Sequence, residues 1–170
     1  GTIFDEELLS EENQTYVGSL DNQGGIAWCE VATGELYWKK LEKIDNFDIY
    51  IDQLKDIFNK HNIVELLLSN KENENLHFSE DLTSKIFLKK DKEINKKIIM
   101  RPFWEFDSQN GISLLKKRTE FYSEKFDIKN NESVLRAINA LIIYIEKNIG
   151  QEISYLRKPQ EEYSQSYIKI

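Results

Sequence analysis

Two histidines, His61 and His77, and one cysteine, Cys29, are the chain's strongest soft-metal ligands. They are too few for a tetrahedral zinc set without carboxylates. His61 is expected at a helix end, where a cation is favoured, and His77 on the surface. Cys29 stands beside Trp28 with no basic neighbour close in sequence, so it reads as a small core residue rather than a nucleophile. No G-x-x-x-x-G-K-S/T loop is present to cradle nucleotide phosphates, and Gly24-Gly25 is a turn pair. Lys85, Lys89, Lys90, Lys92, Lys96, Lys97 and Arg101, set against Asp91 and Glu93, make the one basic patch. Phosphate contact there would fall to Lys89, Lys90, Lys96 and Lys97. With no aromatic or glycine pattern among the lysines, a solvated surface is the stronger reading.

The stretch from Lys97 to Tyr122 is the most informative. Ile98-Ile99-Met100 is β-rich and apolar, and Pro102 removes an N–H and stops ladder pairing. Phe103 and Trp104 follow at once. Bulky aromatics where a strand gives way to a helix normally anchor a junction, so Arg101, Pro102, Phe103, Trp104 and Phe106 are expected to form a structural corner.

The chain of 170 residues is long enough for one domain with a real core. Its 40 % hydrophobic, 31 % charged and 12 % aromatic content is that of a globular protein, and a net charge of −7 argues against a free-standing nucleic-acid binder. One cysteine rules out an internal disulfide and suits a reducing, cytoplasmic setting. No apolar run approaches the roughly 20 residues of a membrane span. Both ends, Gly1 without Met and the triplet Ile168-Lys169-Ile170, read as cuts through a longer protein.

These residues need elements to hold them. Asp5 is expected to cap a turn containing Leu8 and Leu9. Thr15–Leu20, Ile26–Val31 and Glu35–Leu41 are β-branched and aromatic runs separated by Asp21–Gly25 and Ala32-Thr33-Gly34, which predicts three sequential antiparallel strands. Phe47, Ile51, Leu54 and Phe58 recur at helical spacing. Ile63–Leu68 has the look of a buried parallel strand. The polar part from Lys71 offers a short helix around Leu76, Phe78 and Leu82 and an edge strand or loop at Ile86–Leu88. Lys97–Arg101 is expected to be the last central strand. Ile112, Leu115, Thr119 and Tyr122 mark one helix face, leaving Gln109, Ser113, Lys116, Lys117 and Glu120 outward. A largely buried helix starts at Asn130-Asn131-Glu132, carries Val134, Ile138, Leu141, Ile145 and Ile149, and stops at Gly150. From Glu152 the chain, with Tyr155, Leu156, Tyr163 and Tyr167 among polar residues, is expected to connect to another domain.

The resulting α/β order, a three-stranded meander continued by parallel strands through helical crossovers, is that of ribonuclease-H-like mixed sheets flanked by helices. It makes a metal-dependent nuclease the obvious enzyme reading. Two Mg²⁺ ions would require acids in the middle of the first strand and at the end of the fourth. Here those positions are Val17-Gly18-Ser19 and Leu68-Ser69-Asn70, with Asp21 only in the following turn, so the site reads as non-catalytic and without a metal or cofactor. A nuclease and a DNA-contacting module using the Lys85–Arg101 patch stand as alternatives.

Several segments in order resemble the connector domain (domain II) of the MutS family of bacterial mismatch-repair proteins. They are Gly1–Leu9, Gly25-Ile26-Ala27, Thr33-Gly34-Glu35, the corner Arg101-Pro102-Phe103-Trp104-Glu105-Phe106, the helix segment Ala140–Tyr144, and Tyr155–Ile170, which is similar to the opening of the core (lever) domain. The resemblance implies a connector over residues 1–151 and the beginning of the core domain over 152–170. It further implies a cytoplasmic parent protein, a homodimer that binds mismatched DNA and uses ATP and Mg in domains outside this chain. It also implies a docking surface for a MutL-type protein, for which Glu6, Glu7 and the outward face carrying Gln109, Ser113, Lys116, Lys117 and Glu120 are the candidates. Phe103-Trp104-Glu105 matches the family's mismatch-reading Phe-x-Glu literally, but sits in the connector's corner, where an anchoring aromatic would not be exposed as a wedge must be.

Overall fold

The computed structural model describes residues 14–41, 47–70, 96–120 and 126–162. Strand β1 (Tyr16–Leu20) turns at Asp21, whose carboxylate accepts the Gln23 N–H at 2.9 Å, and returns as β2 (Gly25–Glu30). A second tight turn, held by Thr33 Oγ1 donating to Glu30 at 2.6 Å, leads to β3 (Leu36–Lys40). Helix α1 (Phe47–Lys60) then crosses to β4 (Ile63–Asn70), which pairs parallel with β1. β5 (Lys97–Pro102) pairs parallel with β4. A single 3₁₀ turn (Phe103–Glu105) leads to α2 (Ser108–Thr119), followed by α3 (Glu132–Ile149) and a two-residue β6 (Gln160–Glu161) parallel to β3. The sheet order is β5-β4-β1-β2-β3-β6. This is the expected mixed α/β sheet flanked by helices.

Both faces of the sheet are covered, which is why its strands read as nearly continuous apolar runs. Period-two alternation sends Leu20, Ile26 and Trp28 toward Ile51, Leu54, Ile57 and Phe58 of α1. Their neighbours Val17, Ala27 and Cys29 pack on the other side against Val134, Leu135, Ile138, Leu141 and Ile145 of α3. Each fully buried Leu or Ile contributes roughly 2 kcal/mol to this arrangement. Close approach of α3 needs glycine. A Cβ on Gly25 would sit 2.3 Å from the Ser133 carbonyl carbon, and one on Gly111 would sit 2.5 Å from the Leu135 carbonyl oxygen. Helix α3 ends as expected at Gly150, in the left-handed region at φ 73°. Among the described residues no helix is long and apolar enough to cross a membrane.

Three expectations need correction or extension. β5, expected as the last central strand, pairs only with β4 among the described residues and stands at the end of the described sheet. Its Lys97 and Met100 are accordingly exposed. Phe103 and Trp104 do not anchor the corner: they are 55 % and 68 % exposed. The corner is instead closed by Phe106 and Glu105, both 8 % exposed, with Arg101 bound to the Glu105 carboxylate. Finally, Ile153 and Leu156 are buried in the α3-side core and Gln160-Glu161 extends the sheet, so the described part of 152–170 packs on this fold. The expected features at Asp5 to Leu9, Leu76 to Leu88, Tyr122, Tyr163 and Tyr167 lie outside the described residues.

Candidate functional site

The buried carboxylates decide what chemistry the sheet can support. Asp21, just past β1, accepts Arg136 Nε at 3.0 Å and Nη2 at 2.9 Å. This bidentate bond raises the guanidinium's already high pKa. Glu65, in the middle of β4 and opposite Val17, accepts the Tyr144 hydroxyl at 2.8 Å and lies 3.8 Å from Lys97 Nζ. Burial first, then this bond to Glu65, pushes the Tyr144 phenol up to about 12. Glu105 accepts Arg101 Nε at 2.9 Å and Nη2 at 2.7 Å. The Glu105 carbonyl accepts Asn139 Nδ2 at 2.7 Å, and Asn139 Oδ1 accepts Asn110 Nδ2 at 2.8 Å. Arg101 also stands 5.8 Å from the centre of the Tyr144 ring.

These bonds form one connected polar seam. It runs Lys97–Glu65–Tyr144–Arg101–Glu105–Asn139–Asn110 and joins β4, β5, the corner, α2 and α3. Of the four buried carboxylates among the described residues, Asp21, Glu65 and Glu105 are each taken by a cation or a phenol and Glu30 accepts the Thr33 hydroxyl, so they are spread along the seam and beyond it. Among the described residues no group of three or more His, Cys, Asp and Glu is placed to hold a metal ion. The arrangement fixes elements in place. None of these partners was foreseen from sequence except through Arg101, since Asp21 and Arg136 are separated by 115 positions.

The exposure of Phe103 and Trp104 overturns the ground on which their Phe-x-Glu match was set aside. The rings are available, edge to face at 5.5 Å between centroids. The glutamate is what fails the motif: Glu105 is buried, with both carboxylate oxygens held by Arg101, and does not stand out beside the rings.

Directly after the aromatic pair, Asp107 caps α2 by accepting the N–H groups of Gln109 at 3.0 Å and Asn110 at 3.4 Å. The cap fixes which residues face out. Gln109, Lys116, Lys117 and Glu120 are exposed and Ser113 is half-buried, while Leu115 and Thr119 are buried. Arg118, on the same helix, turns away from this group to grip Glu146 of α3 at 2.6 and 3.1 Å. Glu146 in turn accepts the Ile153 N–H at 3.0 Å. Of the expected phosphate contacts, Lys96 is half-buried and Lys97 is exposed beside Glu65; Lys89 and Lys90, like Lys85, Glu6, Glu7 and His77, lie outside the described residues.

Cys29 is fully buried, and desolvation raises its thiol pKa far above the reactive range, as a core residue requires. His61 follows the end of α1, and its ring sits among Trp28, Tyr16 and Tyr37 at 5.1, 5.3 and 5.3 Å, with Nε2 3.5 Å from Glu162. No curated protein matches this chain. The family model of MutS domain II matches residues 9–157, nearly the whole of the described sheet and all three helices. With its mixed sheet, carboxylates engaged in structural pairs and an exposed aromatic corner leading into a polar helix face, the chain belongs to the MutS domain II family.

Proposed function

We propose that this domain is a non-catalytic connector in a MutS-type mismatch-repair protein. It links the parts of the chain that bind mismatched DNA to those that use ATP and Mg, and it offers a docking surface to a MutL-type protein. The parent is read as a cytoplasmic homodimer, with residues beyond about 151 leading into its core domain. One observation carries the docking reading: Phe103 and Trp104, exposed, run directly into a helix whose Gln109, Lys116, Lys117 and Glu120 are also exposed. Protein interfaces draw their strongest contacts from aromatic side chains ringed by polar ones, and this short stretch supplies both. The non-catalytic reading is supported by the bidentate arginine pairing of the Asp21 and Glu105 carboxylates.

Binding of the chain to a MutL N-terminal domain tests the surface. Lys116→Glu with Lys117→Glu, and separately Trp104→Ala, should each weaken binding about tenfold, the loss of one good contact. Unchanged affinity in both variants removes this surface from the reading.

A further inference from the structure

A second feature lies away from the aromatic corner, where the β1–β2 turn, the end of β3 and the start of α3 meet. A hollow of about 560 Å³ opens there. Three of its lining residues are cationic, Lys40, Lys129 and Arg136, against one carboxylate, Glu132, in a chain whose net charge is −7. The floor is the first turn of α3, an 18-residue helix. Asn131 at its cap makes no side-chain capping bond and donates instead to the Asp127 carbonyl at 2.9 Å. The first intrahelical bond runs from the Leu135 N–H to the Asn131 carbonyl, at 3.1 Å. The N–H groups of Glu132 and Ser133 therefore have no acceptor among the described residues.

Ser133 supplies an independent sign. It is one of the lining residues, it is 4 % exposed, and its Oγ has no hydrogen-bond partner. A buried hydroxyl without a partner costs about 1–3 kcal/mol, which an acceptor placed beside it in the hollow would recover. Donors without acceptors, a helix N-terminus and surplus positive charge all ask for the same thing, an oxyanion.

We propose that this hollow binds a phosphate group, carried either by a small phosphorylated molecule or by a nucleic-acid backbone. The Ser133 hydroxyl and the first-turn N–H groups donate to its oxygens, and Lys129, with no ion pair among the described residues, supplies charge at the rim. Lys40, now donating to the Asn130 carbonyl at 2.6 Å, is long enough to swing across. Arg136 spends Nε and Nη2 on Asp21 and keeps Nη1, 4.0 Å from Glu132, to turn toward the anion. Such contacts fix position and carry no base sequence.

Titration of the chain with inorganic phosphate at constant ionic strength, followed by amide resonances, is the test. Saturable shifts should appear at Gln23, Lys40, Glu132 and Ser133 and be absent with chloride. Lys129→Glu, an exposed position that leaves the fold intact, should weaken binding at least about tenfold, the scale of one charge reversal, and Ser133→Ala should weaken it as well. Shifts that do not saturate, that spread equally over lysines elsewhere, or that survive Lys129→Glu unchanged would overturn the proposal. A short DNA duplex and a mononucleotide, added at the same salt, separate the two sources. Displacement of phosphate by the duplex assigns the hollow to a nucleic-acid backbone, and displacement by the mononucleotide alone assigns it to a small molecule.

Discussion

At 4 % exposure Asp21 has lost most of its hydration, and Arg136 replaces it with two hydrogen bonds. Arg136→Leu leaves that carboxylate buried with only the Gln23 N–H among the described residues, a loss of about 2 kcal/mol by the usual value of charged hydrogen bonds. A urea midpoint lowered accordingly, with Asp21→Asn less affected, is the expected result. Tyrosines respond to pH instead. Tyr144 and Tyr37 are both raised from 10.0 to about 12, chiefly by burial and then by hydrogen bonds to Glu65 and Glu35. The folded state thus holds protons that the unfolded state releases first. The contribution of these phenols is fully present below pH 10 and is lost as pH climbs from 10 towards 12. Tyrosinate absorbance measured alongside unfolding should show the fall beginning near pH 10, with a shallower slope in Tyr144→Phe.

Elements meet through backbone contacts that side chains would block. Gly25→Ala pushes the start of α3 off β2, and Gly111→Ala pushes α2 off α3. Each should cost about 1–3 kcal/mol by overpacking, read as a lowered melting temperature with unchanged helix content. The strands and α3 were legible in the sequence because Asp21–Gly25, Thr33-Gly34 and Gly150 mark their ends and because periodicity two or three-to-four runs between them. β6 was not, since Gln160-Glu161 has neither β-branching nor apolar character, and only the neighbouring β3 makes it a strand. The place of β5 at the end of the described sheet was equally hidden, because Ile98-Ile99-Met100 reads alike at an edge or a centre. The outward positions on α2 were readable from spacing, whereas of the expected corner aromatics only Phe106 is buried, beside Glu105, and Phe103 and Trp104 face out. The hollow at the start of α3 left no local signal, since Lys40 and Ser133 are 93 positions apart and brought together by the fold.

At the scale of the molecule, two arginine clamps lace the helices to one another and to the sheet. Arg118 ties α2 to α3 and, through Glu146, to the chain leaving α3, while Arg136 ties α3 back to the β1–β2 turn. Such lacing favours the proposed connector role, in which the domain would move as a unit. Incubated with DNA or RNA and Mg²⁺ or Mn²⁺, the pure chain is expected to leave the nucleic acid intact; sustained cleavage would show that the clamps open onto a metal site. The two-residue β6 has a different consequence. It is the shortest seam in the sheet, fastened by Glu162 N–H to the Trp38 carbonyl at 2.8 Å and by the contact between Glu162 and His61. Under tension applied beyond Glu162 this seam is expected to part before the longer ladders of β1, β2 and β4, a first low-force step in a pulling experiment that leaves the central sheet paired.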